Sequence, residues 1–297
     1  SALPPHFPSG FFLRNGPNPG HALTGLYHWF DGDGMIQSLQ LGGSGSGGGD
    51  RTATYSAHQI RTNRFVKESE AGRSLFTTVG DQVGRVGLVK LALDAIRSKL
   101  ESQPLGFSSL DAGQANTALI HHAGRVLALH EGSRPVEIRL PQPQEGETPL
   151  STVGPYTFNG RLKHAFTAHP KVCPATGEMM TFCYNVMKKP FCTYSVVDAD
   201  GALVRSVDVG APAPCMMHDM AITRNHSILL DLPLDFDASN LARGGSLFTF
   251  RPKRGARFGI IPRHGTSADD VMWFEASPCM MFHCVNAYEE ESDEANP

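Results

Sequence analysis

Short apolar or alternating runs, separated by turn-forming residues, are the feature that most limits the folds open to this chain. Such runs occur at 11–13, 118–120, 125–129, 194–197 and 227–230. The residues between them are rich in turn formers, among the 31 glycines and 21 prolines of the chain, and we expect turns at 15–19 and 200–201. Many short strands with regular spacing predict an all-β fold: a sandwich, a barrel or a propeller. No fixed-period repeat is visible, so repetition does not choose among these three.

Charge and composition exclude several classes of protein. The formal net charge of −3 provides no basic surface for nucleic acid, so no nucleic-acid partner is predicted. No uncharged apolar run approaches the ~18 residues of a membrane-spanning helix. The six cysteines contain no CxxC pair, which predicts reduced thiols rather than a disulfide framework. The 13 histidines outnumber the cysteines, and imidazole is the commonest metal ligand in proteins.

One amphipathic helix is predicted over 83–100, within a helical insertion of about 80–103. Its apolar residues recur at steps of three and four: Val86, Val89, Leu93, Ile96 and Leu100. The pattern leaves two interpretations open, a helix packed on the domain or an interfacial helix that dips into a membrane surface. The basic residues that would suit anionic headgroups are Lys90, Arg97 and Lys99.

Three histidines lie in similar settings, among apolar residues at the expected edge of a strand. They are His169, His218 and His283. A buried neutral imidazole needs a hydrogen-bond partner or a metal for its nitrogens. The three residues are far apart in sequence and form no local motif. They are therefore either separate hydrogen-bonded core histidines, or ligands of one metal that similar strands bring to a common axis.

Several strings along the chain, taken together and in order, resemble the carotenoid cleavage oxygenases. They are FLRNGPNP at 12–19, HWFDGDGM at 28–35, AHPK at 168–171, MHDMAIT at 217–223, WFEA at 273–276 and NAYEE at 286–290. The resemblance covers nearly the whole chain. It is closest to the plant and algal branch, which includes the nine-cis-epoxycarotenoid dioxygenase-like enzymes.

This resemblance implies a seven-bladed β-propeller with Fe(II) on its axis, held by four histidines from different blades. It implies that His169, His218 and His283 are three of those ligands. In the family, glutamates orient three of the four imidazoles, and the first follows a Leu-Ala-Leu-type strand. Glu131 is its expected match and Glu137 the alternative. A carboxylate on the distal N–H fixes the tautomer and raises the basicity of the ligand.

The resemblance also leads us to expect an incomplete site. The family's fourth histidine and its remaining supporting glutamates lie in a segment beyond Pro297. We therefore expect residues 1–297 to form a single, incomplete propeller domain with three of the four ligands. Three imidazoles could still hold a divalent metal, with altered geometry and affinity.

The implied activity adds both atoms of dioxygen across one carbon–carbon double bond of a carotenoid or apocarotenoid, which gives two carbonyl products. The helix at 83–100 matches a family region that contacts lipid, so peripheral membrane contact is expected there. The branch implies a plastid location, with the cytoplasm as the alternative. The pairs at 216–217 and 280–281 are methionines that either line a substrate tunnel or belong to the core.

Two other functions stay open. One is an isomerohydrolase of the same fold, which resembles the retinoid branch of animals and uses the same iron site. The other is a truncated, non-catalytic member that only binds a carotenoid. The motifs alone separate neither from a cleavage enzyme.

Overall fold

The computed structural model describes residues 4, 7–23, 25–43, 52–100, 110–141 and 149–290. Most of the regular secondary structure in the described residues is strand, as the alternating pattern predicts. They form two compact units. The first contains Ser1–Asp81 and Lys90–Thr157, and the second contains Gln82–Val89 and Phe158–Pro297.

The first unit contains two antiparallel sheets and a helical region. Its elements are β1 (Gly10–Asn18), β2 (Asp33–Gly43), β3 (Thr52–Gln59), α1 (Asn63–Ala71), α2 (Gly84–Leu100, whose first residues belong to the second unit), β4 (Ala118–His122), β5 (Arg125–Leu129), β6 (Val136–Arg139) and β7 (Ser151–Pro155). One sheet has the order β1-β2-β3, and the other is a meander in the order β4-β5-β6-β7. The runs predicted as strands at 118–120 and 125–129 are thereby confirmed.

The core of this unit is built from the inward faces of the two sheets. It contains Ile36, Ile60, Ala115, Val126, Ala128, Val136, Ile138 and Leu150. The hairpin between β4 and β5 turns on Ala123 and Gly124, at φ 48° and 74°. Positive φ at both central residues matches the twist of the two strands, which is why so short a connection can join them.

The turn predicted at 15–19 is wrong, because β1 continues through these residues to Asn18. Asn15 pairs with Ile36 and Pro17 with Gly34 on β2. The reason is topological: β1 lies at the edge of its sheet, where a proline without an N–H is tolerated.

Helix α1 is absent from the sequence-based prediction. The Thr62 hydroxyl caps it by accepting the N–H of Phe65, and Gly72 ends it in the left-handed conformation at φ 65°. The helix buries the charged side chains of Arg64 and Glu68 instead of a stripe of apolar residues, which is the feature that marks a packed helix in a sequence. One carboxylate oxygen of Glu68 accepts the backbone N–H groups that follow the helix, at Leu75 (2.8 Å) and Phe76 (3.1 Å).

Helix α2 confirms the predicted helix, and residues 101–103 of the expected insertion lie outside the described residues. Four apolar side chains of the predicted apolar face are exposed: Val86 (69 %), Val89 (58 %), Leu93 (48 %) and Ile96 (53 %). Their exposure favours the interfacial interpretation over close packing on the domain. The Lys90 ammonium is paired with the Asp81 carboxylate, so it is not free for a headgroup. The side chains of Arg97, Lys99 and Leu100 lie outside the described residues.

Within the described ranges, no helix is both long enough and apolar enough to cross a membrane.

The second unit contains two four-stranded antiparallel sheets. Its elements are β8 (Lys171–Val172), β9 (Met179–Tyr184), β10 (Cys192–Val197), β11 (Leu203–Asp208), β12 (Met220–Ile222), β13 (His226–Asp231), β14 (Leu234–Phe236), α3 (Ser239–Ala242), β15 (Phe248–Phe250), β16 (Ala256–Pro262) and β17 (Met272–Ala276). The sheet orders are β8-β9-β10-β11 and β12-β13-β16-β17, with the hairpin β14-β15 between β13 and β16. The predicted strands at 194–197 and 227–230 are confirmed.

Burial explains the sequence of the central strands. β9 and β10 are buried along almost their whole length and read as nearly continuous apolar runs, whereas the edge strand β11 alternates. The predicted Asp200-Gly201 turn is confirmed, and the Asp198 carboxylate holds it by accepting the N–H groups of Asp200 (3.1 Å) and Ala202 (2.8 Å).

The cysteines and methionines of this unit belong to its packing. All six cysteines lie in the described part of the chain and are free thiols, as predicted. Met217 is buried in the main core, and Met280 and Met281 pack against the cluster of Leu230, Leu232 and Ala256. These contacts favour the core interpretation of the methionine pairs over the tunnel.

The edge strands β8 and β12 of the two sheets contact each other. This contact determines where the chain segments that enter the two sheets meet.

Candidate metal centre

Two of the three histidines lie just before an edge strand in the second unit, and the third lies beyond its last strand. His169 lies two residues before β8 begins, and His218 lies two residues before β12 begins. His283 lies in the irregular segment after β17. The edge strands β8 and β12 contact each other. His169 and His218 therefore lie close together, because each lies just before one of these strands.

The structure brings the three imidazoles together. The Nε2 atoms of His169 and His218 are 3.0 Å apart. The ring centroids of His283 lie 4.9 Å from His169 and 5.0 Å from His218. One nitrogen from each ring can be chosen so that all three atoms lie within 4.8 Å of one another. Of the two interpretations that spacing left open, the geometry favours a common site over separate core histidines.

The donor set fits a divalent transition metal. Two nitrogens that each lie about 2.1 Å from one ion, at a right angle, are about 3.0 Å apart, which is the His169–His218 separation. Imidazole nitrogens suit iron, zinc, copper and nickel, whereas calcium and magnesium prefer oxygen. His169 and His218 are half-buried and His283 is exposed, so the site has a closed side and an open side.

A buried carboxylate connects the segments that carry the histidines. Asp219, directly after His218, is 1 % exposed. Its Oδ1 accepts the Lys171 ammonium at 2.7 Å and its Oδ2 accepts the Cys284 N–H at 2.9 Å. Burial alone would raise the pKa of Asp219, but the bonds from Lys171, Cys284 and Met220 outweigh it and hold the pKa below its usual range. Asp219 is therefore an ionised group inside the site.

Asp219 belongs to the MHDMAIT string at 217–223, but no role is predicted for it from the sequence. An available signal was its position in the run from Met216 to Ile222, which is apolar apart from His218 and Asp219, because a carboxylate that is buried needs partners. Those partners could not be named from sequence, since Cys284 lies 65 residues away.

A second carboxylate fixes the end of the described chain. Glu289 accepts the hydroxyl of Thr223, and it bonds Nδ1 of His226 at 3.0 Å and Nδ2 of Asn225 at 2.6 Å. These bonds, from Thr223 first and His226 next, hold the pKa of Glu289 at about 2. They attach the segment that carries His283 to the turn between β12 and β13.

The two glutamates proposed from sequence have different surroundings in the first unit. Glu137 lies on β6, and its Oε1 accepts the Arg125 guanidinium at 2.6 Å. Glu131 is half-buried in the turn after β5 and also has an interaction partner. The ion pair with Arg125 explains the position of Glu137 without any role in orienting a histidine. The role of Glu131 in orienting a histidine stays a prediction.

The fold and site together define a mainly β protein with a cluster of three histidines beside the contact between two sheet edges. The family model described as "Retinal pigment epithelial membrane protein" matches residues 2–296, so the chain belongs to this family.

Similar proteins point to the carotenoid oxygenases within it. The chain is 40 % identical over 286 residues to carotenoid 9,10(9',10')-cleavage dioxygenase 1 of Phaseolus vulgaris, covering 96 % of this chain and 50 % of that protein. It is 34 % identical to 9-cis-epoxycarotenoid dioxygenase NCED6, chloroplastic, of Arabidopsis thaliana, covering 97 % of this chain and 48 % of that protein. The chain thus spans about half the length of the curated relatives it matches.

A solved structure extends the similarity to the fold. The lignostilbene dioxygenase of Pseudomonas brassicacearum superposes with a TM-score of 0.70 at 28 % identity, covering 92 % of this chain and 51 % of that one. The sequence-based resemblance to the carotenoid cleavage oxygenases is confirmed, and the mostly β architecture is that of an oxygenase structure.

Proposed function

We propose that the protein is a non-haem Fe(II) dioxygenase that cleaves a carbon–carbon double bond of a carotenoid or apocarotenoid. The observation that carries the proposal is the convergence of three imidazoles, from three separate segments, within 4.8 Å. The names of the relatives, carotenoid cleavage dioxygenases and a 9-cis-epoxycarotenoid dioxygenase, support the substrate class. The reaction consumes one dioxygen and one double bond, and it gives two carbonyl products with no net proton transfer.

The proposed roles of the residues follow from their chemistry. His169, His218 and His283 would hold the metal as neutral donors, so the site keeps the full charge of the ion. When bound, Fe(II) supplies the dioxygen chemistry that protein side chains lack. The Phe282 ring lies edge-on to His218, with centroids 5.1 Å apart, and gives the site an apolar wall suited to a polyene. No side chain needs to act as a general acid or base.

The proposed architecture around the metal is a seven-bladed propeller in which residues 1–297 belong to one domain. The antiparallel meanders β4-β5-β6-β7 and β8-β9-β10-β11 support it, because a four-stranded meander is the unit of a propeller blade. In this architecture Glu131 would accept the distal N–H of a ligand histidine and fix its tautomer.

Metal analysis tests the site. The purified protein should contain about one iron per chain, and His218→Ala should lose most of it. His264→Ala is the matched control, because His264 is an exposed histidine of the same unit that lies beside Glu178, outside the cluster. Iron that is substoichiometric in the wild type, or unchanged in His218→Ala, would refute the metal centre.

Labelled oxygen tests the reaction. Incubation with a carotenoid under ¹⁸O₂ should give aldehyde or ketone products that carry the label. An isomerised product with no label from dioxygen would instead show an isomerohydrolase. Substrate binding without turnover, insensitive to His218→Ala, would show a non-catalytic carotenoid-binding protein.

We further propose that the exposed apolar residues of α2 give the protein peripheral contact with membranes, where carotenoids reside. Support comes from the exposure of Val86 and Val89 at successive turns of the helix. For location we propose the plastid, which the chloroplastic designation of the Arabidopsis thaliana relative supports. Co-fractionation with plastid membranes in the source cells tests both statements, and recovery in the cytosolic fraction would contradict them.

A further inference from the structure

We propose that Asp219 is a positioning residue, whose single carboxylate sets the spacing of all three histidine-bearing segments. The inference rests on the proposed metal centre, since it concerns how the chain presents the ligands. It assigns Asp219 no contact with the metal or with substrate.

Among the described residues, every hydrogen bond of this carboxylate leads to a residue near one of the histidines. Oδ1 accepts the Nζ of Lys171, two residues after His169, at 2.7 Å. The same oxygen accepts the N–H of Met220 at 2.8 Å, which fixes the backbone directly after His218. Oδ2 accepts the N–H of Cys284, the residue after His283, at 2.9 Å.

These bonds are strong enough to determine position. Hydrogen bonds to an ionised carboxylate are shorter and about twice as strong as neutral ones. At 1 % exposure, Asp219 has little water to compete for its oxygens. An unpaired carboxylate at this depth would be costly, so the three partners are held together with it.

The His283 segment depends most on this contact. No strand or helix includes the described residues from Ser277 to Glu290, so no sheet ladder fixes the backbone there. Met280 and Met281 pack against the core, and the hydrogen bonds that hold this segment among the described residues are that of Cys284 to Asp219 and those of Glu289 to the β12–β13 turn. Of these, only the Asp219 bond is adjacent to His283. Loss of the carboxylate should therefore displace the third imidazole more than the other two.

The test uses Co(II) as the probe, because its visible absorption reports coordination geometry as well as binding. Asp219→Asn keeps the shape of the side chain but places an NH₂ where one of the two oxygens accepts a donor. Supporting residues outside the ligand set typically change metal affinity by 10–100-fold. We expect Asp219→Asn to weaken Co(II) binding by about that factor and to change the spectrum at saturating metal.

The control is Asp198→Asn, since Asp198 also accepts two backbone N–H groups in the same unit but lies in the β10–β11 turn, away from the histidines. It should bind Co(II) with wild-type affinity and spectrum. A purely structural role for Asp219 predicts a lower melting temperature but an unchanged spectrum once the folded variant is saturated, and that result would overturn the proposal.

The outcomes separate this inference from the proposed function. If the wild type binds no Co(II), the metal centre itself is refuted, and the positioning role with it. If the wild type binds and Asp219→Asn is indistinguishable from it, only the positioning role is refuted. Should Asp219→Asn fail to fold, Lys171→Met is measured against Lys188→Met, an exposed lysine of the same unit. Lys171→Met should weaken binding by about tenfold, and equality with Lys188→Met would overturn the proposal.

Discussion

A single charge on helix α2 should release the protein from membranes. The perturbation is Val86→Asp, which changes the most exposed apolar side chain described on this helix. Val86 lies in the first turn of α2, which has no acidic residue. An aspartate there interacts favourably with the positive end of the helix dipole, so the variant should keep its helix. Loss of binding would then report the apolar surface and not unfolding.

The magnitude follows from the exposed fractions. Burying a whole Val, Leu or Ile side chain gains about 1.5–3 kcal/mol. Since Val86, Val89, Leu93 and Ile96 are 48–69 % exposed, each gains about 1–2 kcal/mol on insertion. The four together give a few kcal/mol, which is the strength of a reversible interfacial contact. Val86→Asp loses one contribution and adds the cost of desolvating a carboxylate, so partitioning should weaken by at least about 10-fold.

The assay is flotation of the protein with phosphatidylcholine vesicles at several lipid concentrations. Val204→Asp is the matched control, because Val204 is 46 % exposed on the edge strand β11, far from α2 in sequence. It should float like the wild type. Flotation of Val86→Asp at wild-type lipid concentrations, or an equal loss in Val204→Asp, would refute the assignment of α2 as the membrane contact.

Two further predictions concern carboxylates. Glu131→Gln should lower iron affinity by about 10–100-fold, as measured by equilibrium competition with a chelator. Glu137→Gln breaks the ion pair with Arg125 and should leave iron affinity unchanged. Equal effects of the two substitutions would contradict the role of Glu131. The pKa of Glu289, near 2 in the folded protein and about 4.5 ordinarily, means that its contacts stabilise the fold above about pH 4.5 and lose this effect as the pH falls towards 2. The difference in melting temperature between the wild type and Glu289→Gln should therefore shrink over that interval, and a difference independent of pH would contradict the assignment.

The elements that sequence predicted well are those with a local cause. Strand β5 follows from the apolar run at 125–129, and the turn at 200–201 follows from Asp-Gly chemistry. The elements it missed depend on partners elsewhere in the chain. Pro17 is accommodated in a strand because β1 is an edge strand. Helix α1 was not predicted because its buried residues are the charged Arg64 and Glu68. The local sequence predicts neither the position of a strand within a sheet nor the partner of a buried charge.

The same distinction explains the candidate site. The three histidines could be named from their motifs, but their spacing alone favoured separate positions in the core. What joins them is the contact between the edge strands β8 and β12, together with a carboxylate whose partners lie 48 and 65 residues from it in sequence. A buried charge whose bonds in the described part of the chain all go to neighbours of the histidines is costly for a merely structural site, because apolar residues can fill such a position without desolvation. Its presence is therefore more readily explained by the need to hold three imidazoles at a fixed spacing than by stability alone.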